Sequence, residues 1–361
     1  MTIQSQTDIF YSALSRRDSA FEGIFVVGVK TTGVFCRPTC SARMPKRENV
    51  EFFRSAREAL AHGYRPCKIC TPLEYQGAPP DWIRPLLNEI TVTPTLKLRD
   101  RDLRERGLKP SRVRYWFKKQ HGMTFQGYLR SIRISQAFGK IKQGEKVADT
   151  AFESGYRSLS GFTDSFKKTA EFSPSKSQSN QLIHTTKIIT PLGPMLAGAT
   201  EEGICLLEFT DRRMLETEIK RLSKLLNGSF VPGISKHLDK LNRQLGEYFS
   251  GRRKEFDLPL VLPGTGFQKK VWEELQTIPY GSTRSYDEQA EKIGMPKAVR
   301  AVAKANGENS IAILVPCHRV IGTNGELNGY GGGLWRKEYL LNHERSFCNR
   351  SLRSPTGMLR N

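Results

Sequence analysis

The sequence predicts a multidomain α+β protein, in which a small α/β segment, an all-α segment and a larger segment of sheet followed by helices succeed one another. The chain has 361 residues, enough for two or three domains that each bury a core. Four cysteines fall in two tight pairs within the first 80 residues. Helical periodicity broken by glycine turns marks residues 95–180, and strand-like runs give way to helical patterns after residue 212.

The charge of the chain indicates a polyanionic partner. The formal net charge is +21, and residues 95–180 alone hold 19 Lys and Arg against 8 Asp and Glu. Nucleic acid is the first candidate partner and an anionic membrane the second. We expect neither a membrane span nor a signal peptide, because long apolar runs and a basic N-terminal start are missing from the sequence. We therefore expect a cytoplasmic protein whose seven cysteines stay reduced and serve as metal ligands or catalysts.

The first segment, residues 1–80, predicts a hairpin and a short helix around the cysteine pairs. In GIFVVGVKTTGVFC, two runs of β-forming residues flank a glycine-containing turn and lead to Cys36. The stretch SAREALAHG predicts a helix that Ser55 caps and Gly63 ends. The following GAPPDWIRP, residues 77–85, predicts a linker.

The middle segment, residues 90–180, predicts paired helices. A helix over Val147–Glu153 and a turn at Gly155 precede a second helix, which is the plan of a helix-turn-helix. The apolar residues expected on one face of that second helix are Leu159, Phe162 and Phe166. SRVRYWFKK predicts a further helix. The preceding LRDRDLRERGLKP is so charged that a first helix-turn-helix and a charged, solvent-exposed helix both remain open. EFSPSKSQSNQ predicts a Ser-rich linker.

The third segment predicts a sheet-rich part, residues 184–262, a helical part, residues 263–346, and a basic tail, residues 347–361. Ser285 and Glu288 form a capping box at the start of one predicted helix. The apolar SIAILVPCHRV predicts a buried strand that ends at Cys317. Among the other cysteines, Cys205 is expected in the core and Cys348 in the tail, with no role.

The cysteine spacing predicts a metal centre. Cys-x3-Cys and Cys-x2-Cys, with 26 residues between the pairs, are typical of a tetrahedral zinc–thiolate site. The ligands of the single Zn²⁺ would be Cys36, Cys40, Cys67 and Cys70. Four unrelated buried cysteines are the alternative, and spacing alone favours a structural zinc over a reactive one. Cys317 beside His318 is by itself weak evidence for a nucleophile, and an inert buried thiol is the default interpretation.

These motifs resemble the bacterial Ada family of adaptive-response methylated-DNA methyltransferases and transcriptional activators. TTGVFCRPTCSARMPKRENVEFF followed by REALAHGYRPCKIC resembles the zinc-binding N-terminal domain. The stretch from Val147 to Ser175 resembles an AraC-type helix-turn-helix domain, and the third segment with PCHRVIG resembles O6-alkylguanine-DNA alkyltransferases. The resemblance implies an alkyltransferase domain built from a ribonuclease-H-like sheet subdomain and a winged-helix-like helical subdomain.

The resemblance also implies two irreversible methyl transfers. Cys317 would take the methyl group of O6-methylguanine or O4-methylthymine. The helping residues would be His318 as base through a water molecule, Glu344 orienting it, Tyr286 as proton donor, Asn309 supporting the cysteine loop, Arg300 filling the gap left by the extruded base, and Tyr330 at the edge of the guanine pocket.

Zinc-bound Cys36 would take a methyl group from a methyl phosphotriester, with Arg37 and Arg43 near the phosphate. Methylation would reduce the negative formal charge of the cluster from about −2 to about −1, because a neutral thioether replaces a thiolate. We expect this change to tighten promoter binding. The implied partners are double-stranded DNA, both alkylated and promoter, and RNA polymerase.

The predicted recognition helix runs from Ser158 to Lys168, and SRVRYWFKK is a second candidate. Its DNA-facing candidates are Arg157, Ser160, Thr163, Lys167 and Lys168. The sequence departs from the family at Ser310, where proline is common, and in the glycine-rich GYGGG. Two other hypotheses remain open: a transcription factor with a structural zinc and an inactive relic domain, and a repair enzyme without regulation.

Overall fold

The computed structural model describes residues 6–18, 21, 24–53, 56–70, 72 and 79–351, and it confirms the multidomain α+β class. The predicted cap Ser55 and the tail beyond residue 351 lie outside the described residues. The chain divides into two compact units, Met1–Leu196 with Val231–Ile234 and Ala197–Phe230 with Ser235–Asn361. Within the described ranges, no helix combines the length and apolar character that crossing a bilayer requires.

The N-terminal segment is a small sheet with helices. Its elements are α1 Gln6–Ser15, β1 Val26–Val29, β2 Val34–Cys36, β3 Val50–Phe53, α2 Ala56–Ala61 and β4 Arg65–Pro66. The sheet order is β3-β1-β2-β4, with β1 antiparallel to β2 and β3 and with β2 parallel to β4. The predicted hairpin that leads to Cys36 is therefore confirmed. Buried Phe35, Phe53 and Ala59 form the core between the sheet and α2.

The middle segment is all helical. Its elements are α3 Arg84–Val92, α4 Asp100–Glu105, α5 Pro110–His121, α6 Phe125–Lys142, α7 Val147–Glu153 and α8 Leu159–Ala170. Leu98 and Leu103 are buried against Val113 and Phe117 of α5, and Gly107 turns the chain with a φ of 71°. A first helix-turn-helix is thus present. The alternative of a solvent-exposed charged helix is wrong, because the few leucines of this stretch pack one face of the helix against α5.

The second helix-turn-helix agrees with the prediction except at one residue. Helix α7 has the predicted ends, and Gly155 turns the chain with a φ of 79°, a conformation that glycine adopts readily. Phe162 and Phe166 are fully buried, but Leu159 is 44% exposed. The prediction for Leu159 is wrong because it is the first residue of α8, directly after the cap Ser158, and so lies beyond the packed face.

Both predicted linkers are folded where the structure describes them. Ile83 is fully buried in the core that α3 and α5 share, and Trp82 packs against it. After α8, Pro174 lies buried in a short 3₁₀ helix and Ser177 is also buried. Composition alone predicted linkers for these stretches, but proline and serine also occur in tight, buried turns.

The third segment begins with strands and continues with helices. Its elements are β5 Gln181–Thr190, β6 Gly193–Ala199, β7 Ile204–Phe209, α9 Leu215–Leu225, β8 Gly228–Pro232, α10 Lys236–Phe249, α11 Gly266–Leu275, β9 Arg284–Ser285, α12 Tyr286–Lys292, α13 Val299–Gly307, β10 Val320–Ile321 and α14 Leu334–Ser351. Strands β5 to β8 form a sheet in the order β7-β6-β5-β8, and β9 pairs with β10 in parallel. The capping box of Ser285 and Glu288 is confirmed by both hydrogen bonds.

Two predictions for this segment are wrong. The stretch before Cys317 is buried but is not a strand: after a single bridge at Ile311 it turns, and Cys317 opens a short 3₁₀ helix. Ile313 has a φ of 73° there, which is unusual for a β-branched residue and breaks any ladder. Cys348 lies in α14 rather than in a tail, because the helix continues through residue 351. Cys205 is buried in β7, as predicted.

Candidate functional site

The four N-terminal cysteines converge because β2 and β4 run side by side. The parallel pairing of Phe35 with Pro66 places the turn after Cys36 next to the turn after Cys67. The four sulfur atoms of Cys36, Cys40, Cys67 and Cys70 all lie within 4.8 Å of one another. The Cys40 and Cys67 sulfurs are 4.0 Å apart. Zn–S bonds of about 2.3 Å in a tetrahedron require sulfurs about 3.8 Å apart, so the cluster fits one zinc ion.

The protonation chemistry of this cluster also calls for a cation. A hydrogen bond with Cys70 and burial both raise the pKa of the Cys36 thiol, and burial raises that of Cys40 to about 11. Only Cys70 moves the other way, to a pKa of about 6, because the neighbouring Cys36 thiol donates to its sulfur. Four thiolates cannot therefore coexist here at neutral pH without a positive ion among them. Zinc is the cofactor of this centre.

Backbone N–H groups donate to two of the four ligands. Arg37 N donates to the Cys70 sulfur at 3.3 Å, and Ile69 N donates to the Cys67 sulfur at 3.4 Å. The described residues place no such donor on the Cys36 sulfur. A sulfur without N–H donors keeps more of its electron density and is the stronger nucleophile. Arg37 is half-buried beside the cluster, and Arg43 is exposed.

Cys317 is held by a hydrogen-bonded turn at the end of α13. The amide nitrogen Nδ2 of Asn309 donates to the Val315 carbonyl at 2.9 Å and lies 3.2 Å from the Cys317 sulfur. Its Oδ1 accepts from the Ile311 N–H at 2.9 Å. Burial raises the pKa of the Cys317 thiol, and the Asn309 hydrogen bond offsets part of that rise. The resting group is therefore a thiol, and its reaction as a thiolate requires a base.

The neighbouring His318 is fully buried and belongs to a network centred on Glu344. His318 Nε2 lies 2.9 Å from Glu344 Oε1, so this nitrogen carries the proton and donates it to the carboxylate. The same carboxylate accepts from Arg319 Nε at 2.9 Å and Nη2 at 3.0 Å, from the Tyr248 hydroxyl at 2.8 Å and from the Gly281 N–H at 2.9 Å. Among the described residues, His318 Nδ1 has no hydrogen-bond partner. It can therefore accept a proton.

The pKa values of this network suit a neutral base and a charged anchor. Burial lowers the pKa of His318 below its ordinary value of 6.5, although Glu344 pulls it upward. Burial alone would raise the pKa of Glu344, but His318 and Arg319 outweigh it and hold that pKa far below its usual range. At neutral pH, His318 is thus an uncharged imidazole held by an ionised carboxylate.

A cavity of about 690 Å³ opens beside Cys317, and the other residues predicted for this site line it. Tyr286, Arg300 and Tyr330 all line it. Arg300 is exposed on α13. The Tyr286 hydroxyl donates to the Asn328 carbonyl at 3.2 Å. The Tyr330 hydroxyl is buried and, within the described ranges, lacks a hydrogen-bond partner. The cavity therefore combines a thiol, two phenols and a cation, which suits a planar heterocycle with polar edges.

The predicted DNA-facing residues of the middle segment share one side of the second helix-turn-helix. Thr163 is half-buried, and the exposed ones are Arg157, Ser160, Lys167 and Lys168. Phe162 and Phe166 occupy the opposite, buried side of α8. The structure brings these five residues together on one surface, but it shows no contact that assigns a base or phosphate to any of them.

Three residues around Cys317 and Glu344 were not predicted from the sequence. Arg319 and Tyr248 bind Glu344, and fully buried Lys337 donates from Nζ to the Asn328 carbonyl at 2.6 Å. Arg319 follows directly after PCH and could have been noticed there. Tyr248 and Lys337 lie in ordinary amphipathic helices, α10 and α14, where no local pattern distinguishes them.

Comparison with known proteins adds family membership to this geometry. The chain matches the metal binding domain of Ada at residues 10–72, a helix-turn-helix domain at 103–180, and the ribonuclease-like and DNA binding domains of 6-O-methylguanine DNA methyltransferase at 183–262 and 266–346. The bifunctional transcriptional activator/DNA repair enzyme Ada of Escherichia coli is 34% identical over 342 residues, which cover 92% of this chain and 95% of that protein.

Two further relatives match the third segment. The methylated-DNA–protein-cysteine methyltransferase of Mycobacterium tuberculosis H37Rv is 50% identical and covers 46% of this chain and 94% of its own. A crystal structure of Mycobacterium tuberculosis OGT in complex with DNA is 42% identical and covers 46% of this chain and 94% of that one, with a TM-score of 0.40. The near-complete match to the Escherichia coli protein shows that the chain belongs to the Ada family of bifunctional DNA repair methyltransferases and transcriptional activators.

Proposed function

We propose that Cys317 is the acceptor for the methyl group of O6-methylguanine, and of O4-methylthymine, in duplex DNA. One observation carries this assignment: the Cys317 sulfur lies at a cavity whose rim holds Arg300, beside a neutral His318 that Glu344 anchors. A thiol, a base and a group that fixes the base are the three parts that nucleophilic catalysis by cysteine requires.

The transfer is a direct displacement at the methyl carbon. The thiol proton of Cys317 passes through a water molecule to His318 Nδ1, the sulfur–carbon bond forms, and the bond from carbon to O6 breaks. Guanine leaves with that electron pair and takes a proton from Tyr286. The proton that His318 has gained compensates in charge for the proton that Tyr286 has lost. Because a thioether has no good leaving group, Cys317 stays methylated and each chain acts once.

The target base lies inside a duplex and must be extruded before it can enter the cavity. We assign the filling of the resulting gap to Arg300, which is exposed on α13 at the cavity rim. We assign the edge of the guanine pocket to Tyr330. Its buried, unpartnered hydroxyl within the described residues supports a polar contact to a bound base.

We further propose that Cys36 accepts a methyl group from a methyl phosphotriester. Zinc bound to the four cysteines keeps their sulfurs as thiolates. Cys36 differs from Cys67 and Cys70 in that the described residues place no N–H donor at its sulfur. Arg37 and Arg43 lie in the turn and loop that follow Cys36, and we assign them to the phosphate.

The methylated protein would then act as a sequence-specific activator. We propose that the DNA-facing surface of α8 binds the promoter and that RNA polymerase is the partner of the bound form. The name of the Escherichia coli relative supports the activator role. A reduced compartment, the cytoplasm, suits both sulfur centres. The domain organisation that we propose is 1–80, 90–180, 184–262 and 263–346, and α14 continues beyond the last of these to residue 351.

Peptide mapping of the full chain tests these assignments. The protein is incubated with duplexes carrying an isotopically labelled methyl group either on O6 of guanine or on a backbone phosphate. We expect label on Cys317 from the first duplex and on Cys36 from the second, and Cys348→Ser as the control variant should react like the wild type. Label on neither cysteine contradicts the proposal. A relic domain predicts no label on Cys317, and a repair enzyme without regulation predicts equal promoter affinity before and after Cys36 methylation.

A further inference from the structure

Two loops meet at the wall of the Cys317 cavity. The pocket loop, Asn328–Gly333, contributes Asn328, Gly329, Tyr330 and Gly331 to the lining. The β7 loop, Phe209–Arg212, begins at the last residue of the buried strand β7. Polar contacts of two arginines connect these loops to each other and to the turn that holds Cys317. The connection is built from side chains that no sequence motif singled out.

The first connection runs through Arg336, whose side chain is 2% exposed. Its Nη1 and Nη2 atoms donate to the two carboxylate oxygens of Asp211 at 2.9 and 3.0 Å. Nη1 also donates to the Gly332 carbonyl at 2.9 Å. The guanidinium lies 4.1 Å from the centre of the Phe209 ring. Such a bidentate pair is geometrically strict, so Arg336 fixes the pocket loop relative to the β7 loop.

The second connection runs through Arg212, whose side chain is 8% exposed. It pairs with buried Glu208 and donates to the Gly307 carbonyl at 2.6 Å and to the Asn309 carbonyl at 3.2 Å. Asn309 in turn contacts the Cys317 sulfur. The β7 loop therefore holds the cysteine turn on one side and the pocket loop on the other.

The glycines of GYGGG fit this arrangement sterically. A Cβ atom at Gly331 would lie 2.9 Å from the Arg212 guanidinium carbon, and one at Gly332 would lie 2.6 Å from the Phe209 ring. Any side chain at these positions would push the loops apart. The glycine-rich departure from the family pattern therefore has a physical reason: the pocket loop must approach the β7 loop closely.

We propose that the β7 loop limits the size of the alkyl group that Cys317 accepts. The inference rests on the proposed function of Cys317. A methyl group needs little room beside the sulfur, whereas a benzyl group occupies more of the cavity that the pocket loop bounds. The Asp211–Arg336 pair opposes a shift of that loop because it pins the Gly332 carbonyl. Asp211 and Arg336 are positioning residues, since they act through the pocket loop and do not line the cavity.

The test compares two substrates in the full-length protein. Second-order rate constants for Cys317 are measured on duplexes carrying a single O6-methylguanine or O6-benzylguanine, for wild type, Asp211→Asn and Arg336→Met. We expect the benzyl-to-methyl ratio to rise about tenfold in both variants, a typical discrimination for a small change in pocket size. The control is Arg253→Met, which removes the Arg253–Glu247 pair outside the cavity lining and should leave the ratio unchanged.

An unchanged ratio in folded Asp211→Asn overturns the inference. This variant keeps the side-chain shape at a position that is 35% exposed, so the fold should survive even if Arg336→Met unfolds. A general loss of stability would slow both substrates alike and leave the ratio unchanged, which counts against the inference. Wild-type protein that carries no label on Cys317 overturns the proposed function instead, and the two failures are therefore distinguishable.

Discussion

Replacement of Glu344 by glutamine should damage both the stability of the C-terminal unit and the transfer to Cys317. The carboxylate is fully buried and accepts hydrogen bonds from His318, Arg319, Tyr248 and the Gly281 N–H. Glutamine keeps the volume but removes the charge and turns one acceptor oxygen into a donor. At least one of these donors then faces an NH₂ group, and the guanidinium of Arg319 loses its counter-charge in a buried position.

The magnitude follows from the burial of the pair. Removing one partner of a buried ion pair costs about 3–5 kcal/mol of unfolding free energy. For a unit of this size, the midpoint of thermal unfolding should fall by about 10 °C. His318 also loses the anion that stabilises it when it becomes an imidazolium during the reaction. Loss of a correctly held base costs roughly 10²–10⁴-fold in rate, so transfer to Cys317 should slow at least a hundredfold.

The assay combines calorimetry with single-turnover kinetics on the full chain, at a temperature where the variant is folded. The matched control is Glu247→Gln, which breaks the partly exposed Arg253–Glu247 pair. Such pairs contribute about 0–1 kcal/mol, so this variant should resemble the wild type. Transfer to Cys36 serves as an internal control and should be unaffected. If Glu344→Gln unfolds at the wild-type temperature and transfers the methyl group to Cys317 at the wild-type rate, this account of the network is refuted.

Three further predictions concern the metal, the charge of α8 and the pH. Chelation of zinc should abolish transfer to Cys36 and release one zinc per chain by elemental analysis, while transfer to Cys317 keeps its rate. Neutralising Lys167 and Lys168 together should lower promoter affinity and reduce the slope of log K against log salt by about 2 if both contact phosphates, whereas an unchanged slope excludes them. The Cys317 rate should stay level as pH falls to 6.5 and drop only below it, because burial keeps His318 neutral to a lower pH than usual; a drop centred above 6.5 contradicts this.

Local patterns predicted the elements that depend on a few neighbouring residues. Helix α7 was predicted with both ends, because the apolar spacing and the turn at Gly155 lie within ten residues. The capping box of Ser285 and Glu288 and the hairpin before Cys36 were predicted for the same reason. The cysteine pairs also required only spacing, and the structure brings all four sulfurs together.

The failures share a dependence on distant contacts. The apolar run before Cys317 looks like a strand, but the Asn309 side chain captures its backbone groups and Ile313 adopts a left-handed conformation. Leu159 fits the helical period of α8, yet its side chain is exposed at the start of the helix. Arg319 and Tyr248 reach Glu344 across 25 and 96 residues of sequence, a separation at which single-sequence patterns carry no signal.

The two sulfurs face opposite electrostatic problems, and this explains why their surroundings differ so much. Cys36 sits among three other sulfurs, where a hydrogen bond with Cys70, burial and repulsion by the neighbouring sulfurs all raise its pKa, and a cation is the direct remedy. Cys317 lies beside a cavity that must admit an uncharged nucleobase, and burial raises its pKa. A transient remedy suits the role proposed for it: neutral His318 would remove the proton only when the reaction occurs, while Glu344 stays paired with His318 and Arg319. The metal-bound thiolate would therefore always be reactive, whereas the buried thiol would react only with a base in place, which matches the proposed lesions: a methylated phosphate on the surface of the duplex and a methylated base that must first be extruded.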